Sequence, residues 1–191
     1  MKLIFGLGNP EERYSGTRHN LGFDFLDELT RKLNLKDWSK EDKFKSEIIK
    51  AEELMLIKPQ TFMNKSGIAV SAVLNYFKVA PEDVIIIHDE LDLPLGKIKV
   101  RLGGAAAGHH GVESIIEALN TDKFIRIRLG IGNLRTQSAE HKTHTISAEK
   151  FVLEPFLHKE KSQVKHMIKQ AMKALDLLLE SGLEQAQGQF N

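Results

Sequence analysis

The chain has 191 residues, of which 41% are hydrophobic and 28% charged, and this predicts a single globular domain over residues 1–191. Its 27 Lys and Arg residues nearly balance its 26 Asp and Glu residues, so any surface that binds an anion must be local. The absence of cysteine excludes disulfides, a cysteine nucleophile and thiolate metal sites, and it is compatible with a reducing cytosol.

The first apolar run, in MKLIFGLGNP, is too short for the core of a signal peptide. No apolar run approaches the roughly 18 residues of a membrane span. We therefore expect a cytoplasmic protein that does not associate with a membrane.

Short apolar runs alternate with helical patterns along the chain. The apolar runs predict strands at residues 3–7, 46–50, 54–58, 84–87, 97–102 and 125–131. Helical spacing of apolar residues predicts helices through residues 21–33, 69–77, 112–119 and 160–180. Residues 38–46 are charged and predict a surface loop. Strands that alternate with helices indicate an α/β fold, a single-domain sandwich with a twisted mixed central β-sheet flanked by helices.

Polar residues occur at five places where a predicted strand ends or a predicted helix begins. They are Asn9, His19, Met63 with Asn64, His88 with Asp89, and His109 with His110. Ligands of open α/β sheets bind beyond the carboxyl ends of the strands, so these residues are predicted to converge on one site. Each position also has a purely structural interpretation, since Asn-Pro favours turns, asparagine caps helices and loop histidines are commonly solvated.

One interpretation of this cluster is a metal-dependent hydrolase. Nitrogen and oxygen ligands for zinc or manganese could come from His88, Asp89, Glu90, Asp92, His109 and His110. Adjacent strand residues point to opposite faces, however, and this disfavours a shared ion between His88 and Asp89.

The other interpretation is metal-free acid–base hydrolysis. Asp89 would orient His19, fix its tautomer and make its second nitrogen a better base for water. The helix that follows His19 should disfavour the imidazolium, and Asn20 is expected to cap that helix. The side chains of Asn9 and Asn64 would donate amide hydrogens to a carbonyl or its oxyanion.

A basic surface is predicted on the strands near the end of the sheet. Period-two alternation places Lys97, Lys99 and Arg101 on one face of KIKVRL, and Arg126 and Arg128 on one face of RIRLGIG. Such a patch suits phosphates, although a charged solvent-facing sheet is an equal alternative. Tyr14 could stack on an exposed RNA base.

Taken together, these residues resemble the bacterial peptidyl-tRNA hydrolase family. The similarity lies in FGLGNPEERYSGTRHNLGFDFLD, KPQTFMNKSGIAV, IIIHDELDLPLGKIKVRLGG and IRLGIG, in that order, over residues 2–132, with a weaker trace at residues 151–156. The resemblance implies a monomeric esterase without metal or cofactor that cleaves the ester between peptide and tRNA in peptidyl-tRNA.

The resemblance also implies roles for individual residues. It implies a catalytic base at His19 with Asp89 as its partner, substrate contacts at Asn9, Tyr14, Met63, Asn64 and His110, and a tRNA phosphate clamp at Lys99, Arg101 and Arg128. The family's glycine-rich loop usually ends Gly-His-Asn-Gly, whereas this chain has His110 in place of the asparagine. An imidazole cannot donate and accept as a side-chain amide does, so we expect altered peptide affinity.

A binding protein without hydrolase activity is the remaining alternative, because some relatives of the family bind RNA without cleaving it. Such a relative should lose a catalytic residue and gain an exposed apolar docking patch. This chain retains His19, Asp89, Asn9 and Asn64, and its sequence contains no obvious docking patch. The sequence therefore favours the enzyme.

Overall fold

The computed structural model describes residues 1–132 and 147–191 of the chain. The strands in this part are β1 Lys2–Gly6, β2 Ser39–Glu41, β3 Ser46–Ala51, β4 Leu54–Pro59, β5 Val84–Glu90, β6 Ile98–Leu102 and β7 Ile125–Gly130. The α-helices are α1 Leu21–Lys32, α2 Ser66–Phe77, α3 His110–Leu119, α4 Ala148–Val152, α5 Lys161–Ser181 and α6 Leu183–Phe190. The predicted domain over 1–191 includes residues 133–146, which lie outside the described part.

The strands form one seven-stranded sheet in the order β2-β3-β4-β1-β5-β7-β6. Strands β4, β1, β5 and β7 run parallel in the centre, and antiparallel strands complete both edges. The predicted α/β class, with a mixed sheet flanked by helices, is confirmed. The predicted hairpin of β3 and β4 is also present, with its turn at Glu52 and Glu53.

The charged segment predicted as a loop is partly a strand. Ser39 pairs with Ile48, so β2 extends the β3–β4 hairpin by one antiparallel strand. Most of the strand's residues are exposed and polar, and the apolar alternation that marks a half-buried strand is missing. The pairing follows from the neighbouring strand, and the local sequence does not signal it.

Two hydrophobic layers enclose the sheet. One face packs against α1 and α5, where Phe25 and Leu26 of α1 meet Ile168 of α5 within one core cluster. The other face packs against α2 and α3 through residues such as Val70 and Val112. Burying one such side chain stabilises the fold by about 1.5–3 kcal/mol, so the amphipathic pattern accounts for the placement of the helices.

The first turn of α1 lies unusually close to the sheet. A Cβ atom placed on Gly22 would lie 2.3 Å from the Leu7 nitrogen and 2.5 Å from the Ile87 oxygen. These two backbone atoms form the hydrogen bond, 2.9 Å long, that continues the pairing of β1 with β5. Glycine at this position therefore allows α1 to begin directly over the carboxyl ends of the two central strands.

A cavity of about 590 Å³ lies between α1 and α5 and has Asp24 in its wall. Burial, together with the nearby charge of Asp27, raises the pKa of the Asp24 carboxyl to about 6. The folded chain thus binds a proton at Asp24 more tightly than the unfolded chain does. Above this pKa, the ionised carboxylate of Asp24 lowers the free energy of unfolding. This destabilisation disappears at low pH, where the carboxyl is protonated.

Replacing Asp24 with asparagine is therefore expected to raise the free energy of unfolding by about 1 kcal/mol at pH 7.5, after allowance for solvent screening. The gain should vanish at pH 4, where the carboxyl is protonated in the folded chain. Urea denaturation at both pH values measures the effect. Asp42→Asn, at an exposed carboxylate, is the matched control, and equal gains at both pH values would contradict the explanation.

Candidate active site

The imidazole of His19 is bound to the carboxylate of Asp89. His19 lies in the 3-10 turn Arg18–Asn20 that leads into α1, and Asp89 lies near the end of β5. The Nδ1 atom of His19 is 2.9 and 3.0 Å from the two carboxylate oxygens, and the residues are 8% and 1% exposed. An ionised carboxylate only accepts hydrogen bonds, so Nδ1 donates and Nε2 remains an acceptor. The predicted pairing of these two residues is present.

A second histidine, His109, binds the same carboxylate. Its Nε2 is 3.0 Å from Asp89 Oδ1, and its Nδ1 accepts a hydrogen bond of 3.3 Å from the Val112 nitrogen in α3. Because Nδ1 accepts, Nε2 must carry the proton that it donates to Asp89. Sequence analysis did not place His109 among the residues of the metal-free site, although its position before a helix in the glycine-rich loop was a usable signal.

His88 adjoins the site but differs from the other two histidines. Its Nδ1 donates to the backbone oxygen of Asp89 at 2.7 Å. The centroid of its ring lies 4.7 Å from the ring centroid of His109. Its Nε2 is buried and has no hydrogen-bond partner among residues 1–132 and 147–191. Burial, followed by the charge of His109, holds the pKa of His88 well below its usual value, so this imidazole stays neutral.

The six residues predicted as metal ligands do not form one cluster in the structure. Glu90 binds Arg128 and the Asp92 nitrogen instead of facing Asp89. Within the described residues, the group with suitable spacing consists of His19, Asp89 and His109, whose candidate ligand atoms lie within 4.8 Å of one another. The hydrogen bonds among these three residues already account for their proximity. A chelator experiment can distinguish a metal site from a hydrogen-bonded cluster without metal.

The two residues shift each other's pKa in opposite directions, down for Asp89 and up for His19. Burial opposes ionisation of Asp89, but the charges and hydrogen bonds of His19 and His109 outweigh it and hold the Asp89 pKa well below its usual range. Burial also lowers the pKa of His19, and Asp89 more than compensates, so the net pKa is raised. The net shift is therefore opposite in direction to the one that was expected from the helix end.

Two asparagines fix the loop that follows β1. Asn9 Oδ1 accepts a hydrogen bond of 2.8 Å from the Met63 nitrogen, which leaves the Asn9 Nδ2 group as a donor for a ligand. Asn20 Oδ1 accepts from the Asn9 nitrogen at 2.9 Å, and Asn20 Nδ2 donates to the Asn9 oxygen at 3.0 Å. Asn20 occupies the predicted N-cap position of α1, but its side chain makes no capping hydrogen bond because the amide is engaged with Asn9.

Two cavities meet at His19. One, of about 420 Å³, is lined by Asn9, His19, Phe62, Met63, Asn64, Lys65 and His110. Tyr14 packs edge-on against Phe62, with ring centroids 6.4 Å apart, and so borders this cavity from outside. The other, of about 190 Å³, is lined by the site residues, the glycine-rich loop and α4. Four of the five predicted substrate residues therefore line this larger cavity, and Tyr14 contacts one of its aromatic lining residues.

The basic patch contains four of the five lysines and arginines predicted for it, and Lys97, which directly precedes β6, is exposed. Lys99 and Arg101 are exposed on β6, and Lys99 lies opposite Arg128 in the β6–β7 pairing. Arg128 is bound to Glu90 through Nε and Nη2, both 2.9 Å from Glu90 Oε2. This ion pair holds the guanidinium of Arg128 beside the exposed side chain of Lys99.

Arg126 does not belong to the exposed patch, which corrects the alternation argument. It is 3% exposed, and its guanidinium donates to the Ala105 oxygen at 2.9 Å and to the Gly103 oxygen. Burial lowers its pKa, with a further contribution from the charge of Arg128. Arg126 therefore anchors the glycine-rich loop that carries His109.

Comparison with known proteins agrees with this geometry. The sequence model of the family described as peptidyl-tRNA hydrolase matches residues 3–191. The chain is 42% identical over 196 aligned residues to a peptidyl-tRNA hydrolase of Trichodesmium erythraeum (strain IMS101), with 100% of this chain and 88% of the relative covered. It is 44% identical over 186 residues to the peptidyl-tRNA hydrolase of Hydrogenobaculum sp. (strain Y04AAS1), with coverage of 96% and 94%.

A solved structure gives the same result for the fold. The peptidyl-tRNA hydrolase of Acinetobacter baumannii superposes with a TM-score of 0.85 at 33% identity, and the alignment covers 100% of this chain and 94% of that one. The resemblance found in the sequence motifs is therefore confirmed over nearly the whole chain. This chain belongs to the peptidyl-tRNA hydrolase family.

Proposed function

We propose that this chain hydrolyses the ester bond between peptide and terminal ribose in peptidyl-tRNA, and so recycles tRNA from stalled translation. The activity named for its relatives supports the substrate. The observation that carries the mechanism is the hydrogen bond of 2.9 Å between His19 Nδ1 and Asp89 Oδ1. It leaves His19 Nε2 as a proton acceptor on a side chain that lines both cavities.

In the proposed reaction, His19 Nε2 takes a proton from a water molecule as the oxygen attacks the ester carbonyl. Asp89 stabilises the imidazolium that forms. The amides of Asn9 and Asn64 donate to the carbonyl oxygen as it becomes an oxyanion. When the tetrahedral intermediate collapses, His19 returns the proton to the departing ribose oxygen, which gives a tRNA hydroxyl and the carboxylic acid of the peptide, and this acid then releases its proton to water.

The remaining surfaces fit the two halves of this substrate. The peptide would occupy the cavity beside Met63, with Tyr14 and His110 at its border, and a tRNA phosphate would bind at Lys99, Arg101 and Arg128. Within the described residues, no helix combines the length and apolarity that a membrane crossing requires. We propose that the protein acts as a cytoplasmic monomer without a cofactor.

The decisive experiment measures release of peptide from an N-blocked aminoacyl-tRNA by the wild type and His19→Ala, each with and without chelator. We expect wild-type activity that survives chelation and falls by about 10²–10⁴-fold in His19→Ala. His166→Ala, at an exposed histidine of α5, should behave like the wild type.

Other results would contradict this mechanism in distinct ways. Loss of wild-type activity on chelation would favour a metal ion held by His19, Asp89 and His109. A wild type that binds tRNA but releases no peptide would indicate a non-catalytic relative.

The histidine at position 110 is predicted to weaken peptide binding. His110 is exposed, and its Nδ1 lies 3.2 Å from Glu113 Oε2. His110→Asn should lower KM for the blocked aminoacyl-tRNA by about two- to tenfold, because an amide donates and accepts at once. His166→Asn is the control, and an unchanged KM in His110→Asn would show that the substitution is neutral.

A further inference from the structure

The residue before the catalytic histidine is a buried arginine that the proposed mechanism does not use. Arg18 is 1% exposed. Its guanidinium carbon lies 4.4 Å from the ring centroid of Phe151 and 4.7 Å from that of Phe156. A guanidinium between two aromatic rings is held in one plane and one orientation. The side chain of Arg18 is thus buried and fixed in one orientation, whereas most arginine side chains are solvated.

The partner of Arg18 lies at the start of α5. Arg18 Nη2 is 2.7 Å from Glu160 Oε2, and Glu160 is 7% exposed. The same carboxylate oxygen accepts a hydrogen bond of 2.7 Å from the Leu157 nitrogen. We call this buried ion pair of Arg18 and Glu160 the clasp. It connects the catalytic turn directly to the entry of the longest described helix.

Backbone contacts join the same two segments. The Arg18 nitrogen donates to the Glu154 oxygen at 3.0 Å, and Thr17 forms a β-bridge with Pro155. The chain just before this contact, in α4, supplies Val152 to the smaller cavity beside His19. The catalytic turn therefore rests on the segment from α4 to α5, and the clasp is the charged part of that contact.

Stability does not account for the clasp. Removing two charges from water costs several kcal/mol per ion, and apolar replacements of similar volume are commonly as stable or more stable. The Nε atom of Arg18 also has no hydrogen-bond partner among the described residues, which adds a desolvation cost. A buried pair with such costs is better explained by the single geometry that it imposes.

We propose that the clasp positions His19 for catalysis. Because Arg18 and His19 are consecutive in one short turn, fixing the Arg18 side chain fixes the backbone from which the imidazole projects toward Asp89. Arg18 and Glu160 touch neither substrate nor reacting atoms, so they are positioning residues. The inference rests on the proposed function, since His19 must act as the base for its orientation to limit the rate.

The test uses the double variant Arg18→Met with Glu160→Met, which removes both charges and retains bulk. We expect kcat on the blocked aminoacyl-tRNA to fall by about 10- to 100-fold, the usual effect of a misplacement near 1 Å. KM should stay within about twofold, and the midpoint of urea denaturation should be unchanged or higher. In NMR spectra, the His19 Nδ1 proton bound to Asp89 should broaden or move upfield.

A matched control uses the exposed ion pair of Lys32 and Asp176, 2.6 Å apart, which also joins α1 to α5. Replacing both of these residues with methionine should leave kcat and the Nδ1 proton signal unchanged. Wild-type kcat in the clasp double variant would overturn the proposal. A lower kcat that accompanies a lower denaturation midpoint and an unchanged Nδ1 signal would also overturn it, because the clasp would then be structural.

If the double variant fails to fold, Glu160→Gln decides the question, because it keeps the shape and one acceptor while removing the charge. A three- to tenfold lower kcat at unchanged KM supports positioning, and wild-type kcat contradicts it. The proposed function fails separately, when the wild type itself releases no peptide. In that case the Nδ1 proton signal still reports whether the clasp orients His19.

Discussion

Replacing Asp89 with asparagine is expected to lower kcat for peptide release by about 10³-fold or more while leaving the fold intact. The reason lies in His109. Its Nδ1 accepts from the Val112 nitrogen, so its Nε2 can only donate and will take the oxygen of the new amide. The amide NH₂ group then takes the position of Oδ2, 3.0 Å from His19 Nδ1, and favours the tautomer in which Nδ1 accepts. The proton of His19 moves to Nε2, and the base that water needs is lost.

The pH profile provides a second readout of the same variant. In the wild type, the pKa of His19 is raised, so the neutral base is lost as the pH falls through a value above about 6.5. Without the charge of Asp89, burial alone acts on His19 and lowers its pKa. The residual activity of Asp89→Asn should therefore show an acid limb at lower pH than that of the wild type.

The control for this prediction is Asp92→Asn, an exposed carboxylate three residues further along the chain. It should retain wild-type kcat and the wild-type acid limb. If Asp89→Asn retains more than about a tenth of wild-type kcat, the carboxylate does not set the tautomer of His19. Another group would then have to orient the base.

The location of the site could be predicted from the sequence because it depends on a general property of parallel strands. Asn9, Met63 and Asp89 follow three separate apolar runs, and the central strands β1, β4 and β5 are parallel neighbours. Their carboxyl ends therefore meet at one edge, whatever the details of packing. The pairing of His19 with Asp89 could be anticipated on the same ground.

The roles that were missed or misassigned depend on contacts between distant segments. Alternation correctly gives the face of β7 on which Arg126 lies, but it cannot show that the glycine-rich loop covers this side chain. In the same way, the position of Asn20 before α1 predicts a cap, while its amide is drawn to the Asn9 backbone. Arg18 gave no signal, since its partner Glu160 is 142 residues away in the sequence.

The second large effect is expected at Gly22, where alanine should lower the free energy of unfolding by about 3 kcal/mol or more. The added Cβ would lie 2.3 Å from the Leu7 nitrogen and 2.5 Å from the Ile87 oxygen. Both atoms belong to backbone that is hydrogen-bonded between β1 and its neighbour β5, so neither can yield as a flexible side chain would. The steric overlap of the added Cβ with these atoms can be relieved only if α1 moves away from the sheet.

Such a movement would carry the catalytic turn with it, because His19 precedes Gly22 by one helical turn. Urea denaturation measures the loss of stability, and kcat under conditions where the variant is folded measures the displacement of His19 from Asp89. Gly188→Ala is the matched control, since a Cβ at that position of α6 meets no atom within 4 Å and should be neutral or stabilising by up to about 1 kcal/mol. If Gly22→Ala were as stable and active as the wild type, the position of His19 beside Asp89 would not depend on close packing of α1 on the sheet.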